Sequence, residues 1–243
     1  MLSSAGKQLL SGLAQIVYPN ICWLCRELMP SDLRGFCSTC HQSVFTDPHL
    51  ACPACAATVG PFGTTGSDCP TCRAERFAFQ SAIRVGPYCG SLREVIVRLK
   101  HSQCEGLAEI VGSQWAAQAQ VSLEREKIDC VVPVPLHWLR RWQRGYNQSA
   151  ALAGGWAHAL AIPLLPHGLR RVRDTKKQFD LPPAARRDNV RNVFRSGRRS
   201  RFQGRTVLLV DDVMTTGSTL HEASAALRRA GAARVVVAVL ARA

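Results

Sequence analysis

Val207-Leu208-Leu209-Val210-Asp211-Asp212-Val213-Met214-Thr215-Thr216-Gly217-Ser218-Thr219 is the stretch that decides the fold. Its four aliphatic residues, Val207 to Val210, predict a buried strand beginning near Thr206. Two carboxylates, Asp211 and Asp212, stand at the C-terminal end of that strand. A Thr/Gly/Ser turn then opens directly into a helix, with Leu220, Ala223 and Leu227 on its buried side. Ligands of open α/β sheets bind beyond the carboxyl ends of the strands. A helix N-terminus with free N–H groups and small hydroxyl side chains suits a phosphate monoester. Gly217 lets the backbone come close to such a group and adopt conformations other residues resist. The adjacent carboxylates repel phosphate, so their natural partners are sugar hydroxyls, Mg²⁺, or both. A plain strand-turn-helix with a capping threonine shares this outline. The ligand reading is favoured because acid pair, Thr-Thr-Gly-x-Thr loop and flanking strand coincide.

Outward from this segment the pattern alternates between strand and helix. Phe79 to Val85 reads as a strand ending at Gly86-Pro87. Leu92, Val95, Ile96 and Leu99 fall on one face of a helix, and a second helix covers about 105–123. Ile128 to Val132 forms a buried strand closed by Pro133-Val134-Pro135, and a helix follows near 147–160. Residues 170–201 are polar, arginine-rich and poorly periodic, as expected of a long loop with short structured pieces. After the helix from Ser218 to about Ala230, Gly231 acts as a stop and Arg234 to Leu240 closes as a strand. This order predicts an α/β domain with a mostly parallel sheet and helices on both faces.

The chain has 243 residues, 47% hydrophobic, and a formal net charge of +14. That size allows one ordinary domain plus a small module. The charge favours anionic partners such as phosphates, nucleic acid or an acidic membrane surface. Arginine supplies nearly all of it, with lysine only at Lys7, Lys100, Lys127, Lys176 and Lys177, and a GC-rich genome would also produce such usage.

Eight of the eleven cysteines precede residue 73, as the Cys-x-x-Cys pairs Cys22/Cys25, Cys37/Cys40, Cys52/Cys55 and Cys69/Cys72. Each pair presents two thiolates to one ion, and two pairs complete a tetrahedral Zn²⁺ site, so four pairs give two structural sites. Sequential pairing makes a double zinc ribbon, and an interleaved cross-brace also satisfies the spacing. With no secretory signal and no apolar run of membrane-spanning length, the expected location is cytoplasmic, where such cysteines bind metal rather than form disulfides. The Cys22–Cys72 segment is rich in turn formers and poor in aliphatic residues, so metal binding would supply folding energy that apolar burial does not. His41 and His49 are not needed as ligands. Trp23, Phe36, Arg26 and Arg34 would serve either partner binding or local packing. The expected organisation is an amphipathic helix over 1–20, the double ribbon over 21–76 and the α/β domain over 77–243.

Residues 207–219 resemble the thirteen-residue phosphoribosyl-pyrophosphate motif of type I phosphoribosyltransferases. The resemblance implies that Asp211 and Asp212 hold the ribose 2′- and 3′-hydroxyls. It also implies that Thr215, Thr216, Gly217, Ser218 and Thr219 wrap the 5′-phosphate, with Val210 leading into the site. Pro133-Val134-Pro135 looks like the pyrophosphate loop of the same superfamily. Leu136-His137 and Arg144-Gly145-Tyr146-Asn147-Gln148, with Arg173, Thr175, Gln178, Arg187, Asn189-Val190 and Phe194, resemble the ComF/GntX family. These are bacterial proteins linked to natural competence and DNA uptake, and an N-terminal cysteine module is part of their architecture. The resemblance spans essentially the whole chain. It implies a type I phosphoribosyltransferase-like fold that binds phosphoribosyl pyrophosphate with Mg²⁺. Asp211, Asp212 and Arg144 are then the candidate catalytic residues, since a guanidinium suits bidentate phosphate contact. His137 is a candidate general base. Residues 170–194 take the place of the flexible closing loop, where Lys176 and Lys177 could touch phosphate. The alternative is a catalytically silent protein that binds single-stranded DNA, through Arg186, Arg187, Arg191, Arg195, Arg198, Arg199 and Arg201 with the ribbons, or acts as an adaptor. Competence or recombination proteins are then the partners.

Overall fold

The computed structural model describes residues 19–60, 63–136, 138, 142, 144–173, 192–197 and 202–243. The expected helix before Tyr18 lies outside the described residues, as do His137, Arg140, Arg141 and residues 174–191 and 198–201.

Two short helices belong to the cysteine module, α1 (Ser38–Phe45) and α2 (Pro70–Ala74). They are followed by β1 (Ser81–Pro87), α3 (Gly90–Arg98), α4 (Glu105–Leu123), β2 (Cys130–Pro133) and α5 (Gln148–Leu160). Next come a short pair β3 (Leu169–Arg171) and β4 (Phe194–Ser196), then β5 (Thr206–Met214), α6 (Ser218–Arg229) and β6 (Arg234–Arg242). The main sheet has the order β1-β6-β5-β2 with every neighbouring pair parallel. β3 and β4 pair antiparallel in a separate small sheet.

Strand alternation distributes the apolar side chains to two cores. Val131, Leu208, Val210, Val236, Ala238 and Leu240 pack with α3, α4 and α5. Cys130, Val132, Val207, Leu209, Val235 and Val237 pack with α6, Phe194 and Phe202. The sheet is therefore covered on both sides, which is why its strands read as continuous aliphatic runs. Cys130 is fully buried, as its place in a core strand requires.

Two glycines set the approach of α4 to α5. A Cβ added at Gly112 would lie 2.2 Å from the Leu152 carbonyl oxygen, and one at Gly155 would lie 2.2 Å from that of Glu109. Trp115 and Trp156 close the same crossing edge-to-face, with ring centroids 4.8 Å apart.

β5 departs from the expected strand, which stopped at Val210. It continues through both aspartates to Met214 because β6 runs alongside, pairing Asp211 with Val239, Val213 with Ala241 and Met214 with Arg242. The turn and helix still follow, at Thr215–Gly217 and Ser218. Gly231 takes a left-handed conformation (φ +100°) just beyond α6, the expected stop.

The cysteine module is docked on the α/β domain. Met29, Phe36, Val44 and Phe45 join the same core as α3, α4 and α5. Arg84 on β1 reaches into the module, pairing with Asp47 at 2.9 Å and donating to the Ala56 carbonyl and Thr58 Oγ1. Gln114 and Gln118 of α4 donate to the Arg34 and Phe45 carbonyls. Phe36 packs edge-to-face with Phe45, so it is a core residue rather than a contact for an outside partner.

Candidate functional site

β2 and β5 are parallel neighbours that end at one edge of the sheet, with Pro133 opposite Val210. The Val134 N–H donates to the Val210 carbonyl at 2.9 Å, so Pro133-Val134-Pro135 lies beside the acid pair. Asn147 links this segment to α5. Its amide donates to the Val134 carbonyl at 3.2 Å, while its side-chain oxygen caps the helix by accepting from the Ser149 N–H. Tyr146, just before it, is buried and donates its hydroxyl to the Leu99 carbonyl. Burial pushes that phenol well above its usual range.

The first turn of α5 reaches both carboxylates. Ser149 Oγ donates to Asp211 Oδ1 at 2.8 Å, and Gln148 Nε2 donates to Asp212 Oδ2 at 3.1 Å. Gln148 and Ser149 are 3% and 1% exposed. Backbone N–H groups add to this, from Asp212 to Asp211 Oδ1 at 3.0 Å and from Val213 to Asp212 Oδ1 at 2.7 Å. The two acids keep partial access to solvent. Burial of its carboxyl, and then the charge of Asp212, push Asp211 up to about 7, against the hydrogen bonds from Ser149 and the Asp212 N–H.

Beyond the acids, Gly217 caps α6 in a left-handed conformation (φ +82°). A Cβ there would lie 2.7 Å from both Met214 Cε and Phe77 Cε1. Thr216 Oγ1 and Ser218 Oγ share a hydrogen bond of 2.9 Å across the turn. The first-turn N–H groups of α6 point toward this loop by helix geometry, so the loop could receive an anion next to a pair of acids. Arg242 at the end of β6 donates to the Met214 carbonyl at 3.1 Å and so fixes the strand where the loop begins. Arg144 is half-buried before Gly145, close enough for its charge, with that of Asp212, to act on the Tyr146 hydroxyl. No hydrogen bond joins Arg144 to either aspartate among the described residues.

The other expected centre consists of the eight cysteines. Cys22, Cys25, Cys37 and Cys40 form one group and Cys52, Cys55, Cys69 and Cys72 another, the sulfurs of each lying within 4.8 Å of one another. Pairing is thus sequential, and the cross-brace is excluded. A tetrahedron with Zn–S bonds of about 2.3 Å has S···S edges of about 3.8 Å. The Cys25–Cys37, Cys55–Cys69 and Cys52–Cys72 separations are 3.7, 3.7 and 3.9 Å, so both groups could hold zinc. The halves repeat in detail. Arg26 and Ala56, each just after a Cys-x-x-Cys, have positive φ, and the bridges Ile21–Leu28 and Ala51–Thr58 correspond. Cys37 and Cys69 stand at the N-caps of α1 and α2.

Sequence reasoning missed Ser149, Phe77 and Arg242, and gave Gln148 no role. Asn147-Gln148-Ser149 signals a helix start, but nothing in its spacing ties it to carboxylates more than sixty positions away. Phe77 packs against both the second cysteine group and the α6 side of the sheet, and stacks on Phe79 at 4.7 Å.

A parallel sheet flanked by helices, with an acid pair and a left-handed turn into a helix at one carboxyl edge, has the type I phosphoribosyltransferase fold, and residues 149–243 match the family described as phosphoribosyl transferase domain. The DNA utilization protein YhgH of Salmonella typhi is 34% identical over 93% of this chain and 99% of its own length. Competence protein F of Haemophilus influenzae is 30% identical over 91% of this chain and 96% of its own. Competence protein ComFC of Bacillus subtilis is 26% identical over 89% and 81%. The chain belongs to the ComF/GntX family of phosphoribosyltransferase-like proteins with an N-terminal cysteine-rich module. No helix among the described residues is long and apolar enough to cross a membrane.

Proposed function

We propose that the protein binds phosphoribosyl pyrophosphate with Mg²⁺ at the β5–α6 edge and transfers its phosphoribosyl group to a nucleophile, releasing pyrophosphate. The observation that carries this reading is the juxtaposition of the half-buried Asp211–Asp212 pair with the left-handed Gly217 turn at the N-terminus of α6. Asp211 and Asp212 hold the ribose hydroxyls, and the backbone of Thr215, Thr216, Gly217, Ser218 and Thr219 surrounds the 5′-phosphate. Pro133-Val134-Pro135 faces the pyrophosphate, and Arg144 reaches the same group. Bound Mg²⁺ would neutralise charge on the departing pyrophosphate. The protein's own contribution is positioning, together with fixed donors aimed where charge develops.

The two four-cysteine groups hold structural Zn²⁺, which supports the module. The relatives named for competence and DNA utilization favour a role in the uptake or use of DNA, with single-stranded DNA and competence or recombination proteins as partners. Titration calorimetry on zinc-replete protein tests the ligand reading. Heat of binding for phosphoribosyl pyrophosphate that requires Mg²⁺ and disappears in Asp211→Asn/Asp212→Asn is expected. Absence of binding in the unaltered protein would sink it.

A further inference from the structure

Gln148 is 3% exposed, and its Oε1 is buried with no hydrogen-bond partner among the described residues. Its Nε2 donates to Asp212 Oδ2 at 3.1 Å. That bond fixes which end of the amide faces the acid, because a carboxylate accepts and only the NH₂ end donates. The carbonyl end is therefore the free one, and covalent geometry keeps it within about 2.3 Å of the nitrogen bonded to Asp212. A buried acceptor left unmet is costly, and unpaired buried groups in folded proteins are few. The donors of the two flanking residues do not relieve this one. The Asn147 amide is committed to the Val134 carbonyl, the Ser149 hydroxyl to Asp211, and the Ser149 N–H to Asn147.

We propose that Gln148 reads the ligand of the acid pair. Its NH₂ holds Asp212 in place, while its carbonyl oxygen accepts a hydrogen bond from a hydroxyl of the bound sugar or from a metal-bound water. This deepens the function proposed above and rests on it. Where the donor is the sugar hydroxyl, a pentose phosphate that lacks it leaves the acceptor empty, so Gln148 discriminates between ribose and deoxyribose forms. Discrimination of this kind is strong when a site holds a buried polar group that only the correct ligand satisfies.

The experiment measures dissociation constants of ribose 5-phosphate and 2-deoxyribose 5-phosphate, each with and without Mg²⁺. The proteins are unaltered, Gln148→Met and Gln148→Asn, all zinc-replete. Methionine matches the length without donor or acceptor, and asparagine is polar but withdraws its carbonyl by one methylene. The unaltered protein is expected to prefer the ribose form, and both variants to reduce that preference by about five- to tenfold, the loss of one hydrogen bond. Reduction without Mg²⁺ assigns the donor to the sugar hydroxyl. Weakening of both sugars only when Mg²⁺ is present assigns it to metal-bound water. An unchanged preference and unchanged affinities in a folded variant overturn the proposal. Failure of the unaltered protein to bind either sugar phosphate would instead refute the underlying function.

Discussion

Replacing Gly217 with alanine tests the loop that joins the sheet to the anion cradle. The backbone there sits at φ +82°, where an L-residue costs roughly 1–2 kcal/mol. The new methyl would also lie 2.7 Å from Met214 Cε and from Phe77 Cε1. Met214 can swing its terminal methyl aside. Phe77 has less freedom, since it stacks on Phe79 and packs against the second cysteine group. Overpacking of this kind adds about 1–3 kcal/mol, so the expected destabilisation is about 2–5 kcal/mol. For a chain of 243 residues, at about 2–4 °C per kcal/mol, that corresponds to a melting point lowered by about 4–20 °C. Gly90 is the control, with φ +50° and nothing within 4 Å of an added Cβ, so Gly90→Ala should show only the conformational part. The assay is thermal unfolding of both variants, with titration of phosphoribosyl pyrophosphate and Mg²⁺. A Gly217→Ala protein that melted with Gly90→Ala and bound ligand normally would refute the reasoning.

Asp211 titrates from 3.8 in the unfolded chain to about 7 in the fold, so between those values the folded state holds an extra proton. Its contribution to stability is full below 3.8 and is lost as pH rises toward 7, a slope that Asp211→Asn should remove from pH-dependent urea midpoints. Ligand affinity should run the other way, rising up to about tenfold per unit below pH 7 and levelling above, because the acid must ionise to hold a metal-bound sugar phosphate. Gly155→Ala places a Cβ 2.2 Å from the Glu109 carbonyl oxygen, forces α4 and α5 apart, and should cost about 3 kcal/mol or more in urea unfolding. Stripping zinc with a chelator should lower the melting point of the whole protein in one calorimetric transition, because Met29, Phe36 and Phe45 share a core with α4 and α5. Cys72→Ala should also weaken ligand binding, through loss of the packing that holds Phe77 against Gly217.

The alternation of strand and helix, the course of β5 into α6 and both groups of cysteines were legible because each depends on local chemistry. Period, spacing and turn residues lie within a few positions of one another along the chain. What stayed hidden depends on tertiary approach. The Ser149 and Gln148 contacts to the acid pair join residues 62 and 64 positions apart across α5 and β5, and no local pattern encodes that. The extension of β5 to Met214 has the same origin, since its last pairings are made to β6 rather than dictated by its own side chains. The docking of the ribbons through Arg84 and Asp47 was likewise invisible, as no local pattern pairs a strand arginine with an aspartate 37 positions earlier.

A structure determined with phosphoribosyl pyrophosphate, magnesium and zinc present tests the central claim most directly. The account predicts the 5′-phosphate against the backbone N–H groups of Thr215–Thr219 and the ribose hydroxyls within hydrogen-bonding distance of Asp211 and Asp212. Ligand bound elsewhere on the sheet, or a phosphate that avoids the α6 N-terminus, would contradict it.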